Sequence, residues 1–119
     1  MSHTVKCALV CKDKQAIHAA IAALRLKTTQ GTTHKTFDGK TIEGIAFRLP
    51  GWQKDVIIDA AGTAHYDNYK GMWGNIDELD EFLHRYTIET TKTAAMAAGY
   101  SVEETENDEG QTELFMTEY

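Results

Sequence analysis

Ten consecutive residues, Tyr66-Asp67-Asn68-Tyr69-Lys70-Gly71-Met72-Trp73-Gly74-Asn75, hold the densest set of ligand-binding groups in this chain. Tyr66, Tyr69 and Trp73 offer ring faces on which a base or another flat group can stack. Gly71 and Gly74 let the backbone approach a ligand closely. Lys70 adds a cation, and the free N–H groups of a helix starting after Asn75 favour an anion. Arg48 and Arg85 are the further cations that the order of elements brings nearest. Together Tyr66, Tyr69, Lys70, Trp73, Arg48 and Arg85 form a candidate site for a small anionic or ring-containing molecule. A plainer reading stands beside it. Tyr66 and Trp73 also suit a core plug where a hairpin meets a helix, and Arg85 also balances Asp77, Glu78 and Glu81. Asp77 and Glu78, in the first helical turn, count against an anion there.

Groups for catalysis are sparse. The two serines, Ser2 and Ser101, stand in no nucleophile-elbow sequence. Cys7 and Cys11 fall on one strand face about 13 Å apart, too far for a disulfide or a shared metal ion. Asp55 and Asp59 share a strand face at the same separation of about 13 Å, beyond the ~5–9.5 Å that paired-carboxylate chemistry uses. Gly39-Lys40-Thr41 resembles the end of a phosphate loop, but His34 stands where that motif needs its first glycine. Glu81-x-x-His84 is half of a di-iron motif without its other half. His3, His18, His34 and His65 show no metal-ligand spacing. The expectation is therefore no catalytic residue, no metal and no cofactor, with the balance against an enzyme.

The elements that position these groups follow from periodicity and turn chemistry. Val5, Cys7, Leu9 and Cys11 alternate with Thr4, Lys6 and Ala8 as a half-buried strand over 4–11. Asp13 is suited to cap a helix to Leu24 that gathers Ile17, Ala20, Ile21 and Leu24 on one face. Residues 26–37, rich in threonine, read as extended. Asp38-Gly39 turns them into a strand over 40–49. A short apolar strand over 55–59 is turned back by Ala61-Gly62-Thr63 into another over 64–69. Asn75 with Glu78 opens the longest helix, whose stripe reads Leu79, Phe82, Leu83, Tyr86, Thr90, Ala94, Ala97, with Gly99 as its stop. Strands over 100–105 and 112–117, joined around Asn107-Asp108-Glu109-Gly110, close the chain. The order β-α-β-β-β-β-α-β-β predicts one α+β domain over 1–119. Its sheet is expected to be mainly antiparallel with two helices packed on one face, of ferredoxin-like flavour with added hairpins.

The 119 residues carry a formal charge of −6 that is unevenly spread. Residues 1–75 hold ten basic against six acidic residues, whereas residues 76–119 hold two against twelve. Residues 101–119 alone carry seven carboxylates and no lysine or arginine. A pI near 5.3 argues against duplex nucleic acid, which calls for a basic stripe. No run of 18 apolar residues exists to span a membrane. The opening Met1-Ser2-His3-Thr4 shows no secretory signal, so the expected compartment is the cytoplasm.

Met1-Ser2-His3, Trp73-Gly74 before the long helix, Arg85-Tyr86 inside it, and Gly99-Tyr100 leading into an acidic hairpin with Asp108-Glu109-Gly110 and Leu114 form a recurring set. With them the chain resembles the hypothetical chloroplast reading frame thirty-five family, a domain of unknown function in plastids, cyanobacteria and phages. The resemblance implies a small intracellular protein, of the host cytoplasm if phage-encoded, and implies no chemistry.

Three functions are consistent with these features. The foremost is a non-enzymatic protein that sequesters a small nucleotide-like ligand through the aromatic loop, as a phage inhibitor of host defence would. The second is an interaction module that docks on a protein partner, such as an ATPase, through its acidic helix and terminal hairpin. The third is a hydrolase of a phosphorylated metabolite. A basic half beside an acidic half, with sheet edges exposed, also predicts a homo-oligomer.

Overall fold

The computed structural model describes residues 5–36, 39–67 and 74–118. Alternation and capping signals become ten elements: β1 Val5–Val10, α1 Lys14–Ala23, β2 Lys27–Thr29, β3 Thr33–Lys35, β4 Thr41–Arg48, β5 Val56–Asp59, β6 Thr63–Tyr66, α2 Ile76–Ala97, β7 Tyr100–Glu106 and β8 Thr112–Glu118. Six strands make one sheet in the order β1-β6-β5-β4-β2, with β3 also on β4, and β7 and β8 form a two-stranded sheet of their own. All of these pairings are antiparallel. The fold is α+β, as the sequence predicts.

Both helices cover one face of the large sheet. Ile17, Ala20 and Ile21 of α1 and Leu79, Phe82 and Tyr86 of α2 share a buried cluster with Phe47, Val56, Ile58 and Ala64. Its centre is the pair Phe47 and Phe82, whose ring centroids lie 4.4 Å apart. Each helix starts on a side-chain cap, which satisfies amides that no helical carbonyl can reach. Asp13 Oδ1 accepts from the Ala16 N–H at 3.1 Å, and Asn75 Oδ1 accepts from the Asp77 N–H at 3.0 Å. The Asp13 N–H in turn donates to the Tyr86 hydroxyl at 3.1 Å, which fastens the start of α1 to the middle of α2.

Three local readings need correction. The extended stretch 26–37 is two strands, because Gly31 takes a positive φ of 98° between β2 and β3. The first strand ends at Val10, and its register shifts between Lys6 and Val10, so simple alternation does not carry through to Cys11. The buried side of α2 is Leu79, Phe82, Tyr86, Ile88 and Ala95. Thr90, Ala94 and Ala97 drop out of the expected stripe, because the second half of α2 packs against the terminal hairpin and presents a different side to it. Gly99 ends the helix with a φ of 93°, as expected.

The pairing of β4 bends the sheet. Lys35 pairs with Thr41, seven residues from Arg48, which is about 23 Å along a straight strand. Lys35 and Arg48 nevertheless line one cavity of about 370 Å³. The β3–β4 arm therefore curls over the sheet face opposite the helices. Gly44 sits where this arm meets β5, opposite Asp59. A Cβ on Gly44 would lie 2.0 Å from the Ile58 carbonyl oxygen. Because the neighbour is backbone, it cannot move aside cheaply. Gly44→Ala is expected to destabilise the fold by at least about 1–3 kcal/mol, read as a lower urea midpoint; an unchanged midpoint would show that the strands do not meet this closely.

Candidate functional site

The curled arm makes the helix-free face into a pocket. Lys35 and Thr36 border it from the arm, Arg48, Lys54 and Asp55 from β4 and the loop after it, and His65, Tyr66 and Asp67 from β6 and its end, with Ile57 of β5 among them. Lys35, Arg48 and Lys54 thus gather at one opening of a chain whose formal charge is −6, among the carboxylates of Asp55 and Asp67.

Two polar pairs are built into it. Arg48 Nε donates to Asp55 Oδ1 at 2.7 Å, while Asp55 Oδ2 accepts from the Thr29 hydroxyl. The Arg48 side chain is 47% exposed, so its remaining N–H groups reach solvent. In the second pair, His65 Nε2 lies 2.7 Å from Asp59 Oδ2. The other oxygen of Asp59 accepts the Ala61 N–H at 3.0 Å and the Thr63 N–H at 2.9 Å, closing the β5–β6 turn. Burial would raise the Asp59 carboxyl, but the hydrogen bonds from His65, Thr63 and Ala61 outweigh it and hold the group below its ordinary range. Asp59 is therefore a carboxylate at neutral pH, and Nε2 is the donor in its bond to His65.

The candidate residues separate. Arg48 and Tyr66 come to the same pocket. Tyr66 is not a free stacking face, because its ring packs edge-on against Trp52 at 5.8 Å between centroids. Tyr69, Lys70 and Trp73 lie outside the described residues. Trp52 is the aromatic that fills the core at this corner. It is 4% exposed, its indole N–H donates to the Asn75 carbonyl at 3.1 Å, and a Cβ on Gly74 would fall 2.4 Å from its ring. Gly74 is thus required by close packing on Trp52.

Arg85 belongs elsewhere. Its two terminal nitrogens hold Glu104 of β7 at 2.6 and 2.8 Å, and one of them also holds Glu89 at 3.0 Å. Lys92 joins Glu104 at 3.3 Å. Its partners are therefore Glu89 and Glu104, and not Asp77, Glu78 or Glu81. Arg85 clamps the terminal hairpin to α2. The clamp also fixes charge states: the Arg85 hydrogen bond, opposed by burial and aided by Lys92, lowers Glu104 from 4.5 to about 2. Hydrogen bonding to Glu104 raises Arg85 in return.

Comparison finds no relative. No known protein family matches the chain, and no curated protein or solved structure matches it. Among the described residues no three His, Cys, Asp or Glu side chains gather to hold a metal ion, and no helix is long and apolar enough to cross a membrane.

Lys35, Lys54, Asp59 and His65 are functional candidates that residue spacing alone passes over. The available signal is the hairpin itself. Asp55, Ile57 and Asp59 alternate against Val56 and Ile58, and a tight turn at Gly62 returns Thr63, His65 and Asp67 to the same face.

The hairpin clamp carries a sign with pH. Because the folded value of Glu104 lies below its ordinary 4.5, its contribution is complete above about pH 4.5 and is lost as pH falls toward 2. Arg85→Ala should speed amide exchange across residues 100–118 by roughly tenfold, about 1–2 kcal/mol, and leave β4, β5 and β6 protected; equal loss in both sheets would refute a local clamp.

Proposed function

We propose that this protein binds a small anionic, nucleotide-like ligand, and that it does so in the pocket under the β3–β4 arm. The observation that supports this reading is the convergence of Lys35, Arg48 and Lys54 on one concavity of about 370 Å³. That size lies within the range of small-molecule sites. Arg48 is already oriented by Asp55, so little side-chain entropy is lost when its outward N–H groups meet a phosphate or carboxylate. The apolar floor at Ile57, buried in the sheet, suits the less polar part of such a molecule.

Titration calorimetry with nucleoside monophosphates and with pyrophosphate tests this reading. Saturable binding that weakens with added salt is expected. The pair Arg48→Ala and Lys54→Ala should lower affinity tenfold or more, about 1.4 kcal/mol per tenfold. Absence of saturable binding at millimolar ligand, or the same affinity in the double variant, would sink it.

A second reading, docking on a basic protein partner, draws on the terminal hairpin. Phe115 and Met116 are 53% and 46% exposed within a segment of seven carboxylates. Both strands also keep an unpaired edge among the described residues. If this surface docks, Phe115→Ser with Met116→Ser should abolish salt-sensitive association with an isolated basic partner and leave nucleotide affinity unchanged. Unaltered association would remove the hairpin from consideration.

A further inference from the structure

The Asp59–His65 pair does more than close a turn. Asp59 Oδ2 accepts a hydrogen bond from the Nε2–H of His65, while its other oxygen is fixed by two backbone amides. The imidazole is therefore held in one orientation, and in its neutral form the proton sits on Nε2 and the lone pair on Nδ1. Among the described residues Nδ1 has no hydrogen-bond partner, and His65 borders the pocket that also holds Lys35, Arg48 and Lys54. A carboxylate-oriented imidazole beside phosphate-binding cations is the arrangement of a general base. No serine or cysteine lines that pocket. Thr36, which also borders it, has its hydroxyl engaged with the Lys40 backbone, so the nucleophile is assigned to water or a hydroxyl of the bound molecule. A hydroxyl next to a phosphodiester is held at high effective concentration, which favours the internal route.

The geometry points to His65 as the general base of a phosphodiester transfer within single-stranded RNA, with Asp59 as its positioning residue. The inference rests on the anion pocket described above. In the step, His65 Nδ1 takes the proton of a ribose 2′-hydroxyl. That oxygen forms a bond to the adjacent phosphorus, and the bond from phosphorus to the 5′-oxygen breaks. The leaving oxygen takes a proton from water, and the imidazolium returns its proton to solvent. The products are a 2′,3′-cyclic phosphate and a 5′-hydroxyl, with no oxidant, reductant or further co-reactant. Lys35, Arg48 and Lys54 supply the positive field for the charge that develops on the phosphate. DNA lacks the 2′-hydroxyl and is not a substrate.

The test incubates the full chain with a fluorescently labelled mixed-sequence RNA oligonucleotide and its DNA counterpart, with chelator present, and identifies the ends by mass spectrometry. Cleavage of RNA alone, leaving cyclic phosphate ends, is expected. His65→Asn should lower kcat at least about a hundredfold, with the fold intact by circular dichroism. Asp59→Asn should lower kcat, alter the pH–rate profile and leave KM unchanged, a split that a purely structural role would not give. Wild-type levels of cleavage in His65→Asn, or no cleavage by a chain that binds nucleotide, would overturn the inference and leave the binding function standing. No cleavage and no binding would overturn both.

Discussion

A missing side chain at residue 44 allows two strands to occupy the same space. Gly44 pairs with Asp59 so closely that the Ile58 carbonyl lies where any Cβ would stand. From that contact β4 serves β5 along 44–47 while its first residues serve β3. The arm can then curl over the helix-free face and make a concavity out of a sheet. Without the curl, Lys35 and Arg48 would be separated by most of the length of β4. The pocket, its three gathered cations and its access to His65 all follow from this one close approach.

A second anchor sets the rim. Trp52 touches three elements at once: its ring meets Tyr66 of β6, its indole face lies against Gly74, and its N–H holds the Asn75 carbonyl at the start of α2. A large buried ring with its one polar group satisfied is stable where it sits. It fixes where β6 ends and where α2 begins, and so fixes the two ends of the aromatic segment between them. Core and site are therefore not rival uses of this corner. Trp52 supplies the packing, and Arg48, His65 and their carboxylates supply the polar chemistry on the other side of the sheet.

Much of this architecture was legible in the residues. Asp13, Asn75 and Gly99 mark helix ends because capping depends on local spacing, and the strands of the meander follow from alternation. The site was less legible. Arg85 finds Glu104 across nineteen positions, and no local pattern announces such a partner. Trp52 follows Pro50-Gly51 in a loop without periodicity, so nothing marks it as a buried aromatic. Arg48 and Tyr66 do meet at the pocket, with the Tyr66 ring also packed against Trp52. The curl that joins Lys35 to them depends on a backbone contact between β4 and β5, which is a property of the assembled sheet.

The pairing of β1 with β6 sets an order of events as well as a shape. Strands β4, β5 and β6 are joined by short turns and can zip together with little loop-closure entropy. β1 reaches its partner only across about sixty residues, Val5 meeting Tyr66 and Lys6 meeting His65. The topology thus makes the meander an early product on the ribosome or in refolding, with the first strand of the chain added late to its open side. Until it arrives, His65 stands on an unpaired edge.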